Sequence, residues 1–113
     1  MASHRPESVG RQAREVLSDL IQRRLKDPGL GFVTVTAVKM TRDLRSAKVF
    51  VSVMGEEADR NRSLEALQRA ASFLRREVGQ AMRLRHTPEL SFAYDESIER
   101  GDRINRILDH LDS

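Results

Sequence analysis

The chain of 113 residues has no cysteine and no tryptophan, three prolines and only three histidines. Without cysteine there is no disulfide framework and no thiolate metal centre. His4, His86 and His110 lie far apart, none with a second histidine at helical spacing, so no metal site is expected. No glycine-rich phosphate loop, nucleophile elbow or dinucleotide fingerprint is present. The acids Asp95, Glu96 and Glu99 cluster without a base, nucleophile or metal partner, and are expected to cap a C-terminal helix. The residues therefore point away from an enzyme, a cofactor and a small-molecule substrate. No apolar stretch approaches the ~20 residues that span a bilayer, and no basic segment followed by an apolar run opens the chain. A soluble cytoplasmic protein without membrane contact is expected. Aromatic residues are few: Phe32, Phe50, Phe73, Phe92 and Tyr94. Most fall in alternating apolar segments, so core packing is expected of them, not a sheet that stacks RNA bases.

What is abundant is arginine. The net charge of +3 hides a segregation along the chain. Residues 1–48 carry ten Lys/Arg against five Asp/Glu, and residues 60–86 carry seven Arg against two Glu. Residues 89–113 reverse this, with three Arg against seven acids. Guanidinium groups suit planar contacts to phosphate, and a segregated basic surface is the footprint of a nucleic-acid binder.

Hydrophobic spacing sets the organisation. Val9, Ala13, Val16, Leu17, Leu20, Ile21 and Leu25 predict a helix over about 8–26, with Ser8 as N-cap and Asp27-Pro28-Gly29 as its stop. Residues 31–40 and 46–54 alternate and are rich in β-branched side chains, which predicts an antiparallel hairpin. A helical stripe of Leu67, Ala70, Ala71, Leu74, Val78, Ala81 and Met82 follows over about 60–85. Periodicity leaves open whether this is one helix or two. Pro88 stops it, and residues 89–94 form a third strand. The fold class is α+β: a three-stranded sheet with helices on one face. Arg62, Arg69, Arg76 and Arg83 recur every seven residues, so one continuous helix would align them in a basic ridge.

The stretches DPGLGFVTVTAVKMTRDLRSAKVFVSVMG and LRREVGQAMRLRHTPELSFAYDESIERGDRI closely resemble the bacterial ribosome-binding factor A family over roughly residues 5–111. The resemblance implies a fold similar to the type II KH domain, helix-strand-strand-helix-kink-helix-strand. It would occupy residues 1–96, with 97–113 an acidic, partly helical tail. It also implies a monomeric assembly factor that binds the small (30S) ribosomal subunit and 16S rRNA, supports late maturation and 5′-end processing, and serves cold adaptation. The family has an Ala-x-Gly interhelical kink where ordinary KH domains have a GXXG loop. The matching positions are Ala70, Ala71 and Ser72, so serine stands in place of the glycine. The expected RNA contacts are Arg42, Arg45 and Lys48 at the hairpin, and Arg69, Ser72, Arg75, Arg76, Arg83 and Arg85 along the helical segment. A generic structured-RNA binder and a protein–protein adaptor recruiting through the acidic tail are the alternatives.

Overall fold

The computed structural model describes residues 5–97. Helix α1 runs Pro6–Arg24, strand β1 Val33–Met40, strand β2 Ser46–Val53, helix α2 Glu57–Arg69, helix α3 Ala71–Met82 and strand β3 Glu89–Tyr94. The acidic tail lies outside the described residues from 98 onward, as do His4 and His110.

Helix α1 starts two residues before the expected cap. Arg5, not Ser8, is the N-cap, because Pro6 at the first helical position has the right φ already and no N–H to satisfy. Its apolar stripe, with Leu17, Leu20 and Ile21 buried, lies on the sheet. Gly10 is needed there: a Cβ would stand 2.4 Å from the Val38 carbonyl oxygen, so only glycine lets the helix approach β1 this closely.

The sheet order is β1-β2-β3. Strands β1 and β2 pair antiparallel, and β2 and β3 pair parallel, so the broken helix α2–α3 is the crossover that the parallel pair requires. All three helices cover one face. Val33, Val35, Val49, Val51, Val53 and Leu90 point into the core against Leu17, Leu67, Leu74 and Val78. Strand alternation sends Lys39, Lys48, Phe50 and Ser91 to the opposite face, which no described helix covers. Thr36 is an extra residue between the Val35 and Ala37 registers. Its hydroxyl bonds to the Phe50 carbonyl (3.2 Å) and Asp95 Oδ2 (2.6 Å), tying the end of β3 to the bulge.

Three expectations about packing are corrected. Phe50 stands on the open face of the sheet under Lys39 and Lys48, because its neighbours Val49 and Val51 take the core side. Ala81 is exposed, since in the last turn of α3 it is Met82 that packs against the core while Ala81 faces away. Phe32 is 82 % exposed, because the ladder continues to it through Met54 N–H and alternation from the buried Val33 turns its side chain to the open face.

The segment 60–85 is two helices. Ala70 (φ −88°, ψ 1°) ends α2 and its N–H shares the Ala66 and Leu67 carbonyls; Ala71 begins α3. The break sits one residue ahead of the alanine–serine pair, and Ser72 lies exposed in the first turn of α3. The continuous arginine ridge is therefore overturned, since the two halves of the ladder stand on different axes and Arg83 lies beyond the end of α3.

Candidate nucleic-acid interface

The β1–β2 turn is held by its own polar groups. Thr41 N–H donates to the Ser46 carbonyl (2.9 Å), Leu44 N–H to the Thr41 carbonyl (2.9 Å) and Ser46 N–H to Thr41 Oγ1 (3.1 Å). Asp43 Oδ1 accepts from the Thr41 hydroxyl (2.7 Å) and from Arg45 N–H (3.0 Å). The Thr41 hydroxyl, and then the Arg45 amide, hold the Asp43 carboxyl below the usual carboxylate range. With every backbone direction fixed, Arg42 and Arg45 project into solvent. Glu89 N–H donates to the Arg45 carbonyl (2.8 Å), which brings the start of β3 to the same end of the sheet.

The α3–β3 connection arrives at that end too. Arg83 terminates α3 in the left-handed region (φ 52°, ψ 43°), with Leu84 N–H bonded to the Gly79 carbonyl (3.1 Å). Glycine usually fills such a position, so arginine here accepts backbone strain. The returning loop is pinned to α3. Arg75 Nε donates to the Pro88 carbonyl (3.1 Å), and a Cβ on Gly79 would lie 3.0 Å from Thr87 Oγ1.

Two adjoining hollows result. Asp43, Leu44, Arg83, Leu84, Arg85 and His86 line one. Ser72, Arg75, Arg76, Gly79, Gln80, Leu84 and Thr87 line the other, with Leu84 common to both. Positions 72, 75, 76, 79 and 80 form one face of α3. Ser72, Arg75, Arg76, Arg83 and Arg85 are thus gathered at one end of the molecule, beside the turn that carries Arg42 and Arg45. Arg76, Arg83, Arg85, Arg42 and Arg45 make no ion pair among the described residues. Arg75 is different, since its guanidinium is engaged with the loop backbone.

Arg69 does not join this surface. Its Nε and Nη2 donate to Asp27 Oδ2 and Oδ1 at 3.1 and 3.0 Å. That pairing lowers the Asp27 pKa and raises that of Arg69. Lys48 lies on the open sheet face, directly opposite Lys39 in the hairpin register. Both ammonium groups sit over the Phe50 ring, 5.4 and 5.9 Å from its centroid. Like charges directly opposite one another destabilise a sheet, so this pair suits an anionic ligand. Lys39 escaped sequence reasoning, because a turn placed at 41–45 sets it across from Ala47; the Thr41–Ser46 pairing shortens the turn to 42–45 and brings it across from Lys48. Among the described residues no group of three or more His, Asp or Glu could hold a metal ion, and no helix is long and apolar enough to cross a membrane.

The family model for ribosome-binding factor A matches residues 5–108. The chain belongs to the ribosome-binding factor A family. It is 48 % identical over 111 residues to the ribosome-binding factor A of Natranaerobius thermophilus, covering 98 % of this chain and 85 % of that one. It is 52 % identical over 110 residues to that of an Anaeromyxobacter species, covering 96 % and 90 %. The fold is similar to the crystal structure of ribosome-binding factor A from Thermus thermophilus, with a TM-score of 0.70 and 31 % identity over 79 % of this chain and 94 % of that one. A homology model of the Thermus thermophilus factor, fitted into a cryo-EM map of its complex with the 30S subunit, has a TM-score of 0.65 and 32 % identity over 77 % and 91 %.

Proposed function

We propose that this chain is a non-catalytic assembly factor that binds the immature small ribosomal subunit through 16S rRNA. Its work is to hold one conformation of the RNA while late maturation and 5′-end processing are completed. The carrying observation is the convergence of Arg42, Arg45, Arg76, Arg83 and Arg85, without ion-pair partners among the described residues, beside the hollow that contains Ser72. Guanidinium groups left free by the fold are available to phosphate. The 30S complex of the Thermus thermophilus relative supports the same partner. The factor acts as a monomer in the cytoplasm, where subunits assemble, and it matters most in the cold, when misfolded RNA rearranges slowly.

Binding to purified immature subunits and to 16S rRNA, titrated against salt, tests this reading. The logarithm of affinity should fall linearly with the logarithm of salt concentration, by about 0.7–0.9 per phosphate neutralised. A flat response would sink it. In cells depleted of the factor, primer extension should show small-subunit RNA with an unprocessed 5′ end, more so at low temperature; normal ends would refute the maturation role.

A further inference from the structure

The opposite end of the sheet has a different chemistry. Among the described residues, Phe32 and Met54 are the two large apolar side chains that stand exposed, at 82 % and 77 %. They are neighbours: Met54 N–H donates to the Phe32 carbonyl (3.1 Å), one step beyond the Val33–Val53 pair. Strand alternation turns both away from the core, onto the uncovered side of the sheet. An eight-residue strand rises roughly 27 Å, so this pair lies about that far from Arg42 and Arg45.

Neither residue sits on a loose end. The Phe32 side is anchored by Gly31 N–H on the buried Ser63 hydroxyl (3.0 Å), and by Leu30 N–H and Gly29 N–H on the Asp27 carbonyl (3.0 Å) and Oδ1 (2.8 Å). Arg69 grips the same Asp27. The Met54 side is anchored by Gly55, whose φ of +121° and close approach to the Asp59 carboxylate admit only glycine. Asp59 Oδ2 in turn accepts from Glu56 N–H (2.8 Å). Two exposed apolar side chains on a fixed backbone are an anchor that loses little backbone entropy on docking.

The charge around the anchor argues against phosphate. Residues 29–38 and 49–55 carry no charge at all. The chain then continues Glu56, Glu57, Ala58, Asp59; Asp59 is paired with Arg62, which leaves Glu56 and Glu57 as the acidic side chains there. Of the nearby arginines, Arg62 is paired with Asp59 and Arg60 stacks on the Tyr94 ring, 4.2 Å from its centroid. Lys26 is the one further cation in the connection between α1 and β1. An apolar anchor with an acidic collar is complementary to an apolar pocket rimmed by lysine and arginine.

We propose that the Phe32–Met54 end is a second docking surface, and that its partner is a protein of the small subunit presenting a basic-rimmed apolar pocket. The RNA-binding end and this end would then grip two different components of one particle. The inference rests on the subunit-binding function proposed above. Phe32→Ser/Met54→Ser, Glu57→Lys and Arg76→Glu/Arg83→Glu variants of the full chain should be compared with wild type for affinity to immature small subunits and to protein-free 16S rRNA. The first variant should lose about tenfold for subunits and nothing for bare RNA. Glu57→Lys should lose severalfold for subunits, with bare-RNA affinity unchanged or raised. Equal loss of the Phe32/Met54 variant on both targets would mean that the pair contacts RNA, and would overturn the proposal. So would no loss on either, or sedimentation showing that wild type self-associates through the pair. The arginine variant reports on the RNA reading separately. If it keeps full affinity for bare RNA that reading fails, while the Phe32/Met54 comparison still decides the docking surface. If wild type binds neither target, both fall.

Discussion

Helices α2 and α3 descend from one arginine-rich segment, yet they spend that charge differently. In α2, Arg60 lies over Tyr94, Arg62 pairs with Asp59 and Arg69 forks onto Asp27. Arg60 and Arg69 fasten the helix to β3 and to the α1–β1 connection, while Arg62 closes an ion pair within the helix itself. In and beyond α3, Arg75 fastens the loop at Thr87 and Pro88, but Arg76, Arg83 and Arg85 have no acidic partner among the described residues. A seven-residue repeat treats Arg62, Arg69, Arg76 and Arg83 as equals. The single non-helical residue Ala70 divides them into two ion-paired and two free groups. The lesson is that an arginine is a candidate for phosphate only after the fold has had its choice of partners.

The largest effect that tests this division is on binding. Arg76→Glu/Arg83→Glu should weaken affinity for 16S rRNA by about a hundredfold, taking about 1.5 kcal/mol for each charge-assisted contact and 1.4 kcal/mol per tenfold. Its melting temperature should stay within a degree or two, because exposed substitutions change stability little. Arg62→Glu/Arg69→Glu should do the reverse: RNA affinity close to wild type and a lower melting temperature, as Asp27 and Asp59 lose their partners. Calorimetry and a filter-binding titration on both variants would reveal either prediction failing.

A smaller effect is expected at the end of α3. Arg83→Gly removes the left-handed strain that arginine bears at φ 52°, so stability should hold steady or rise by up to about 1 kcal/mol while RNA affinity falls. A loss of stability would mean that the Arg83 side chain packs, and that the strain is not tolerated for the sake of its charge.

The smallest effect is a pH dependence carried by three hydrogen-bonded aspartates, of which Asp27 owes its shift first to a fastening arginine. Hydrogen bonds hold Asp27, Asp43 and Asp59 below the ordinary carboxylate range: the Arg69 side chain at Asp27, the Thr41 hydroxyl at Asp43 and the Glu56 amide at Asp59. A folded pKa below the unfolded one gives stability that is present above about pH 4 and is lost as pH falls through the folded value. Chemical denaturation between pH 5 and pH 2 should show this loss, and Asp27→Asn should make it shallower. An unchanged slope in Asp27→Asn would show that the Arg69 pairing contributes nothing to folding.

Much of the fold was legible in the residues. Alternation in VTVTAVKM and SAKVFVSV marks the hairpin, and the stripe through Leu67, Leu74 and Val78 marks the buried helix face, because burial imposes those periods directly. The start of α1 differs from the expected one because Ser8 is a good cap in isolation, while Pro6 settles the matter from upstream. The break at Ala70 is invisible to periodicity, since alanine is an excellent helix former and one residue barely shifts the stripe. For the site, composition singles out the arginines but cannot show that Asp27, forty-two residues away, claims Arg69. Alternation carries Phe32 to the face opposite Val33 and Val35, but it cannot foresee that no described helix covers that face.

The most direct test of the division between fastened and free arginines is the salt dependence of 16S rRNA binding in wild type and the two charge-reversal variants side by side. Relative to wild type, Arg76→Glu/Arg83→Glu should flatten the slope by about 0.7–0.9 for each of the two phosphates released, and Arg62→Glu/Arg69→Glu should leave it unchanged. Equal flattening in both variants would mean that all four arginines face the RNA, and would contradict the account.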